Sequence, residues 1–216
     1  MRVISGKAKG RRLVAPKGGA IRPTADRIKE SLFNILPRDF SGMKILELFA
    51  GTGNISIEAL SRGAESALLV DASERSARII RENLRRLELT DRAQMWVMPV
   101  RRALNAVGRQ GSKFDVIFLD PPYDQKLVGR SLELIASVDP VYPTGVVVAE
   151  HSVRETLKSS YRFLSLNDQR RYGDTLLSFF RHAAAANPAV QGERGAPEAR
   201  ADPLANPEVR RRDHAL

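Results

Sequence analysis

The pattern of apolar and polar positions changes character near residue 44. Before it, short apolar patches at residues 2–4 and 12–14 are separated by glycines, and a helical pattern then runs from Thr24 to Pro37. The patches predict a β-hairpin or an extended arm, and the spacing after Thr24 predicts a capped helix. The chain therefore begins with a small hairpin-and-helix extension.

From residue 44 onward, apolar strands alternate with amphipathic helices. The predicted strands are residues 44–49, 66–70, 94–98, 114–119 and 145–150, and the predicted helices are 54–61, 73–89, 100–107 and 127–138. This alternation is typical of a doubly wound, mostly parallel sheet. Two further strands, 161–166 and 175–180, have no helix between them and predict an antiparallel C-terminal hairpin around Gly173-Asp174. The predicted fold is a Rossmann-like α/β sheet of seven strands.

Three segments follow from this pattern: an arm and helix at residues 1–40, the α/β domain at 41–182, and a tail at 183–216. The tail holds ten alanines, four prolines and few large aliphatic residues. Such a composition buries too little apolar surface to offset chain entropy, so we expect the tail to be disordered.

Composition excludes several classes of function. The chain has no cysteine, which excludes disulfides, thiolate metal sites and a cysteine nucleophile. Its three histidines are scattered, so we expect no metal site. No apolar run approaches the ~20 residues of a membrane helix, and the N-terminus does not resemble a signal peptide. We expect a cytoplasmic monomer.

The positive charge is concentrated at the N-terminus. The chain carries a net charge of +10, and residues 1–38 contribute +8 of it, whereas the tail is neutral. Charge concentrated in this way favours contact with a nucleic acid over a merely solvated basic surface.

A glycine loop follows the first predicted strand, where ligands of such sheets bind. It runs from Glu47 through Gly51 and Gly53, and Asp71 ends the second strand. Glycines allow close approach of a ligand, and Asp71 is placed to accept ribose hydroxyls. A dinucleotide fingerprint would have a third glycine where Ser56 stands. Glu47 suits the cations of S-adenosylmethionine, so this cofactor is favoured over NAD, and a tight turn without a ligand is the remaining alternative.

The second motif, Asp120-Pro121-Pro122-Tyr123, directly follows the fourth strand. The prolines fix the backbone and leave carbonyl acceptors at the sheet edge. The Asp120 carboxylate and a proline carbonyl can accept both hydrogens of a base amino group, while Tyr123 offers a face for the base to stack on. The predicted chemistry is direct attack of that amine on a sulfonium methyl group. A rigid strand end without chemistry is the alternative.

Together these motifs resemble the bacterial small-subunit rRNA guanine-N2 methyltransferases (RsmD) over residues 1–181. The resemblance is carried by the following segments: residues 1–6, 11–13, 22–27, 31–36, 48–53, 58–64, 118–123 and 171–175. It implies a splayed-out guanine of 16S rRNA, free or in the small subunit, as the substrate and its 2-amino group as the nucleophile.

The resemblance also implies a set of site residues. The catalytic residues are Asp120, Pro121, Pro122 and Tyr123. The residues expected to bind S-adenosylmethionine are Glu47, Phe49, Gly51, Thr52, Gly53, Asp71 and Met98. The residues expected to contact RNA are Arg11, Arg12, Arg22, Thr24, Arg27 and Lys29. The family usually has an Asp-Ala pair after the third strand, but here Pro99 and Val100 occupy that place, so backbone around Met98 is expected to hold the adenine.

Three other functions compete with this interpretation. A DNA amino-methyltransferase would use the same two motifs, although such enzymes usually carry a target-recognition domain for which little chain remains. A non-catalytic RNA-binding assembly factor would tolerate loss of Asp120 or of the glycines, and both are present. An NAD-dependent oxidoreductase is disfavoured by Ser56.

Overall fold

The computed structural model describes residues 1–16, 23–122 and 126–183, and of residues 23–26 only the backbone. Within these ranges the strands are β1 (Lys44–Leu48), β2 (Ser66–Asp71), β3 (Ala93–Val97), β4 (Phe114–Leu119), β5 (Val141–Ser152), β6 (Ser160–Tyr161), β7 (Leu164–Tyr172) and β8 (Thr175–His182). The α-helices are α1 (Pro23–Ile35), α2 (Asn54–Ser61), α3 (Glu74–Arg86), α4 (Val100–Gln110) and α5 (Leu127–Val138).

The strands form one sheet in the order β3-β2-β1-β4-β5-β8-β7-β6. The pairings from β3 to β5 are parallel, and those of β5 with β8 and of the last three strands are antiparallel. The chain leaves β1 toward β2 and β3 and later returns to the other side of β1 as β4. The gap between β1 and β4 is thus a switch point, where ligands bind beyond the carboxyl ends of the strands. The predicted doubly wound, Rossmann-like fold is confirmed.

The described residues contain eight strands where the sequence predicted seven. The predicted strand at 161–166 is interrupted because Arg162 adopts a φ of 52°, in the left-handed region, and reverses the chain. The two residues before this turn, Ser160 and Tyr161, form the extra edge strand β6. The hairpin of β7 and β8 turns at Gly173, as predicted.

Two apolar layers cover the sheet. One contains Leu32, Ile57 and Ile80 from α1, α2 and α3, and the other contains Leu104 and Leu132 from α4 and α5. Alternating side chains of the strands contribute to the two layers, which explains why the parallel strands read as continuous apolar runs. The sheet is therefore buried on both faces, and its carboxyl edge is left for binding.

The N-terminal arm packs against the domain rather than extending from it. A single antiparallel bridge joins Arg2 to Arg12, so the predicted hairpin is present in minimal form. Val3, Ala8 and Leu13 are buried in the same layer as α1, α2 and α3. The exposed part of the arm is consequently its polar face.

A buried carboxylate in α2 fixes the arm. Glu58 accepts hydrogen bonds from the backbone N–H groups of Ile4 at 2.8 Å and Ser5 at 2.9 Å. It also pairs with Lys29 at 3.4 Å and Arg62 at 2.9 Å. A charge taken out of water is tolerated only when it is paired and hydrogen-bonded in this way. The arm is therefore held in one position relative to α1 and α2.

Two further predictions concern the tail and membrane-spanning helices. The predicted disorder of the tail concerns residues that, apart from Ala183, lie outside the described ranges, so it stays a prediction. Among the described helices, none has the length and apolar character to cross a membrane.

Candidate active site

The loop after β1 follows a backbone path that suits glycine. Phe49, Gly51 and Gly53 have φ values of 58°, 55° and 73°, all in the left-handed region. A Cβ added to Gly53 would lie 2.9 Å from the Leu69 side chain and 3.3 Å from that of Ile80, so a larger residue would have to displace them where the loop packs on the sheet. The Gly53 N–H donates to the Ala50 carbonyl at 2.7 Å and closes the turn. The predicted glycine turn is present at the carboxyl edge.

Two side chains hold this loop in place. Asp71, at the end of β2, accepts a hydrogen bond from the Gly51 N–H at 2.9 Å and another from the Ser73 N–H at 2.8 Å. Asn83, buried in α3, donates to the Thr52 carbonyl at 3.2 Å. The loop geometry is thus fixed by the strand and the helix that follow it, and the half-buried Asp71 carboxylate lies directly beside the glycines.

Glu47 has a different role from the predicted one. Its buried carboxylate accepts hydrogen bonds from the backbone N–H groups of Ser56 at 2.8 Å and Ile55 at 3.4 Å, in the first turn of α2. These N–H groups have no partner within the helix, so Glu47 satisfies them. Burial raises the pKa of Glu47 to about 7, the hydrogen bonds from Ser56 and Ile55 oppose the rise, and the nearby charge of Asp120 adds to it. Glu47 positions the helix and loop instead of contacting a cofactor cation.

A cleft of about 630 Å³ opens beside the glycine loop. Phe49, Ala72, Pro99 and Val100 line it from the loops after β1, β2 and β3, and residues of α5 form the opposite wall. The lining is mostly apolar and is continuous along three strand ends. A flat aromatic ring could pack on this surface, although Pro99 supplies no carboxylate to hold it.

The structure argues against the predicted role of Met98. Its side chain is 5% exposed and belongs to the core layer under α4 and α5. Its backbone N–H donates to the Asp71 carbonyl at 3.1 Å, so that group is already used within the fold. The residues that face the cleft at this point are the next two, Pro99 and Val100.

Asp120 begins the loop after β4. Because Leu48 and Leu119 are register partners in parallel strands, the loops that start at Phe49 and Asp120 leave the sheet side by side. Asp120 is exposed, Pro121 is buried and Pro122 is exposed. The two predicted motifs are therefore brought together at the switch point. Tyr123, the last residue of the second motif, lies outside the described residues.

The residues expected to contact RNA are either exposed, outside the described residues or, in the case of Lys29, buried. Arg11, Arg12 and Arg27 are exposed, although Arg11 also donates to the Arg86 carbonyl at 2.6 Å. Arg22 and the side chain of Thr24 lie outside the described residues.

For Lys29 the prediction is wrong. The residue is 1% exposed, and its ammonium group donates to the Arg2 carbonyl at 2.6 Å and to Asn54 at 2.9 Å in addition to its ion pair with Glu58. Lys29 faces the core side of α1, and its charge anchors the arm.

Sequence reasoning missed the residues that join the arm to the site. Asn83 accepts a hydrogen bond from the Val14 N–H at 2.7 Å, donates to the Val14 carbonyl at 3.1 Å, and also contacts the cofactor loop at Thr52. The available signal was a polar residue on an otherwise apolar helix face, between Ile80 and Leu84. Glu58 shows the same signal within the apolar helix α2.

Comparison with known proteins identifies the family. A family model described as conserved hypothetical protein 95 matches residues 1–181. The chain belongs to this family. The match contains the arm, both motifs and the sheet apart from the last residue of β8, and therefore covers nearly all of the described residues.

Named relatives agree with the resemblance drawn from the motifs. The YlbH protein of Bacillus subtilis strain 168, whose name proposes an rRNA methyltransferase, is 40% identical over 84% of this chain and 98% of its own length. Ribosomal RNA small subunit methyltransferase D of Escherichia coli K12 is 26% identical over 85% of this chain and 91% of its own. A solved structure of a proposed methylase from Haemophilus influenzae has a TM-score of 0.70 at 26% identity and covers 84% of this chain and 97% of its own. The resemblance of this family member to the RsmD methyltransferases is confirmed.

Proposed function

We propose that this protein is an S-adenosylmethionine-dependent methyltransferase that methylates the exocyclic 2-amino group of a guanine in small-subunit rRNA. The observation that carries the proposal is the pairing of β1 with β4, which sets the Asp120-Pro121-Pro122 loop beside the glycine loop and its cleft. The names of the relatives support rRNA as the substrate. We place the reaction in the cytoplasm, on 16S rRNA or the small subunit.

The residues of the cleft fit S-adenosylmethionine. The apolar surface of Phe49, Pro99 and Val100 suits an adenine ring, and the Asp71 carboxylate at the end of β2 suits the ribose hydroxyls. The backbone of the loop that contains Gly51 would meet the methionine part. When bound, the cofactor supplies an electrophilic methyl group on a sulfonium.

Asp120 and Pro121 supply the acceptor side of the reaction. The Asp120 carboxylate and the Pro121 carbonyl accept hydrogen bonds from the two amino hydrogens of the guanine, which fixes the nitrogen and directs its lone pair at the methyl carbon. Proline has no N–H, so the loop presents acceptors without competing backbone donors. Positioning of two reactants in this way can lower a barrier by ~7–11 kcal/mol. The nitrogen loses a proton after transfer, and the exposed Asp120 can pass it to solvent.

The exposed cations of the arm and of α1 supply the RNA contact. Arg11, Arg12 and Arg27 belong to the segment that carries most of the net charge, and the Glu58 contacts hold that segment against α2. A basic surface that Asn83 joins to the glycine loop can orient the RNA while the guanine leaves its stack.

A methyl-transfer assay with a tritiated methyl donor tests the proposal. It compares undermethylated small subunits, naked 16S rRNA and duplex DNA as substrates. The Asp120→Asn variant should lose ~10²–10³-fold in kcat because one acceptor becomes a neutral amide that also donates, while cofactor affinity measured by calorimetry stays within about twofold. Asp91→Asn is the matched control, since Asp91 is exposed in the turn before β3, at the amino ends of the strands and away from the cleft.

The outcomes of this assay distinguish the proposed function from the competing ones. Labelled DNA with silent RNA would identify a DNA methyltransferase. Binding of RNA without any labelled product would identify an assembly factor that lacks catalysis. Full turnover by Asp120→Asn would refute the role of Asp120 even if rRNA is the substrate.

A further inference from the structure

The strand order separates the two sides of the reaction. Along the carboxyl edge the strands run β3, β2, β1, β4, β5. The cofactor residues follow β1, β2 and β3, and Asp120 follows β4. The cleft lies between the loops after β1, β2 and β3 and the wall formed by α5, so the flank of Asp120 toward the end of β5 is left for the guanine. A surface for a nucleotide directly next to the guanine is therefore expected beyond β4 and β5, in addition to the RNA contact proposed for the arm.

A second pocket of about 500 Å³ lies at that place. Its lining residues are Lys126, Gly129, Arg154, Glu155, Thr156 and Leu157. Lys126 immediately precedes α5, and Arg154 follows the end of β5. We propose that this pocket binds a nucleotide next to the target guanine, with its phosphate on Lys126 and Arg154. The proposal rests on the proposed function.

Both cations are available for a phosphate. Lys126 and Arg154 are exposed, and within the described ranges neither side chain takes part in a hydrogen bond or an ion pair. The neighbouring Lys158 contrasts with them, because its ammonium group contacts Glu133 at 2.8 Å. Two cations on different elements that converge on one pocket are suited to holding a single anionic group from two sides.

The remaining lining distinguishes a nucleotide from a simple anion. The Glu155 carboxylate is half-buried and would repel an isolated phosphate, but it can accept hydrogen bonds from a ribose hydroxyl or a base amino group. Thr156 adds a hydroxyl and Leu157 adds apolar surface against which a base can pack. A ligand with an anionic end, polar donors and a flat apolar ring satisfies all of these groups.

Salt-dependent RNA binding tests the pocket with the full-length chain. The variants are Lys126→Ala, Arg154→Ala and the double variant, and the probes are undermethylated 16S rRNA and a short guanosine-containing single-stranded RNA. Each single change should weaken binding by ~3- to 10-fold and lower the slope of log affinity against log salt by ~0.7, with the double variant giving about twice that slope change. Cofactor affinity should not change.

Arg109→Ala is the matched control. Arg109 is exposed near the end of α4, at the amino ends of the strands, so Arg109→Ala removes the same charge without touching the pocket. If wild-type protein methylates rRNA while the pocket variants have the salt slope of Arg109→Ala, the pocket proposal is wrong and the proposed function stands. If wild-type protein methylates no RNA, the proposed function itself fails. Photo-crosslinks from 4-thiouridine next to the methylated guanine should map to residues 154–157, and their absence there would also overturn the proposal.

Discussion

Replacing Glu47 by glutamine should stabilise the protein, and by an amount that depends on pH. Glu47 is 3% exposed and satisfies the first N–H groups of α2. Glutamine has nearly the same shape and keeps one oxygen for the Ser56 N–H. The substitution therefore removes the cost of burying a charge while it keeps the shorter of the two hydrogen bonds.

The magnitude follows from the pKa of Glu47, which burial raises to about 7 from its ordinary value of 4.5. Below pH 4.5 the carboxyl group is protonated in the folded and unfolded states, and it carries no ionisation cost. Between pH 4.5 and 7 only the unfolded state loses the proton, so stability falls as pH rises. At ~1.36 kcal/mol per pKa unit, the full loss above pH 7 is about 3 kcal/mol. The variant avoids this loss.

Urea unfolding monitored by tryptophan fluorescence measures the effect. Trp96 is the single tryptophan of the chain and is 1% exposed on β3, so its emission reports the folded sheet. The variant and the wild type should have similar free energies of unfolding near pH 4.5, and the variant should be about 3 kcal/mol more stable at pH 8. Glu30→Gln, at an exposed position of α1, is the control for a charge change alone. A difference between Glu47→Gln and wild type that stays constant from pH 4.5 to 8 would refute the reasoning.

Two further predictions separate residues that look alike in the sequence. Lys29→Ala should lower the free energy of unfolding by ~3–5 kcal/mol in urea, because it leaves the buried Glu58 carboxylate with one ionic partner fewer. Arg27→Ala should leave stability unchanged and lower the salt slope of RNA binding. The reverse pattern would contradict the assignment of the two residues. Gly6→Ala should detach the arm, because the added Cβ would overlap the Ser61 carbonyl. Gly10→Ala should lower the stability by only ~1–2 kcal/mol, because its Cβ meets open space and adds only the strain of a left-handed backbone. Equal protease sensitivity of the arm in both variants would refute this reasoning.

The sheet could be predicted because its signals are local. Continuous apolar runs and intervening amphipathic helices determined the five parallel strands, and β4, α2 and α5 begin and end where the pattern placed them. The interruption between β6 and β7 was missed because it depends on the positive φ of Arg162, a residue type that gives no turn signal. The hairpin that follows was predictable, since Gly173 supplies that signal itself.

The candidate site was predicted in part, for a similar reason. Positions such as Gly51, Asp71 and Asp120 follow from the rule that loops at strand ends face the ligand. The roles of Glu47 and Lys29 could not be predicted, because each depends on a partner in another element. Glu47 is directed at the first turn of α2, and Lys29 is directed at a carboxylate 29 residues away. Spacing tells which face of a helix a residue occupies only after the apolar stripe has been located, and α1 offers cations on both sides of its stripe.

The positions of the basic surfaces bear on how the RNA reaches the site. The arm docks on α2 and α3, which follow β1 and β2, whereas the pocket of Lys126 and Arg154 follows β4 and β5. An RNA strand that made both of the proposed contacts would pass the end of β4, which lies between them in the strand order and where Asp120 stands. Held at two points on either side of Asp120, such a strand would need only a local opening to present one base. In that arrangement the buried contacts of Glu58 and Asn83 would support catalysis, because they keep one of the two points at a fixed distance from the cofactor loop.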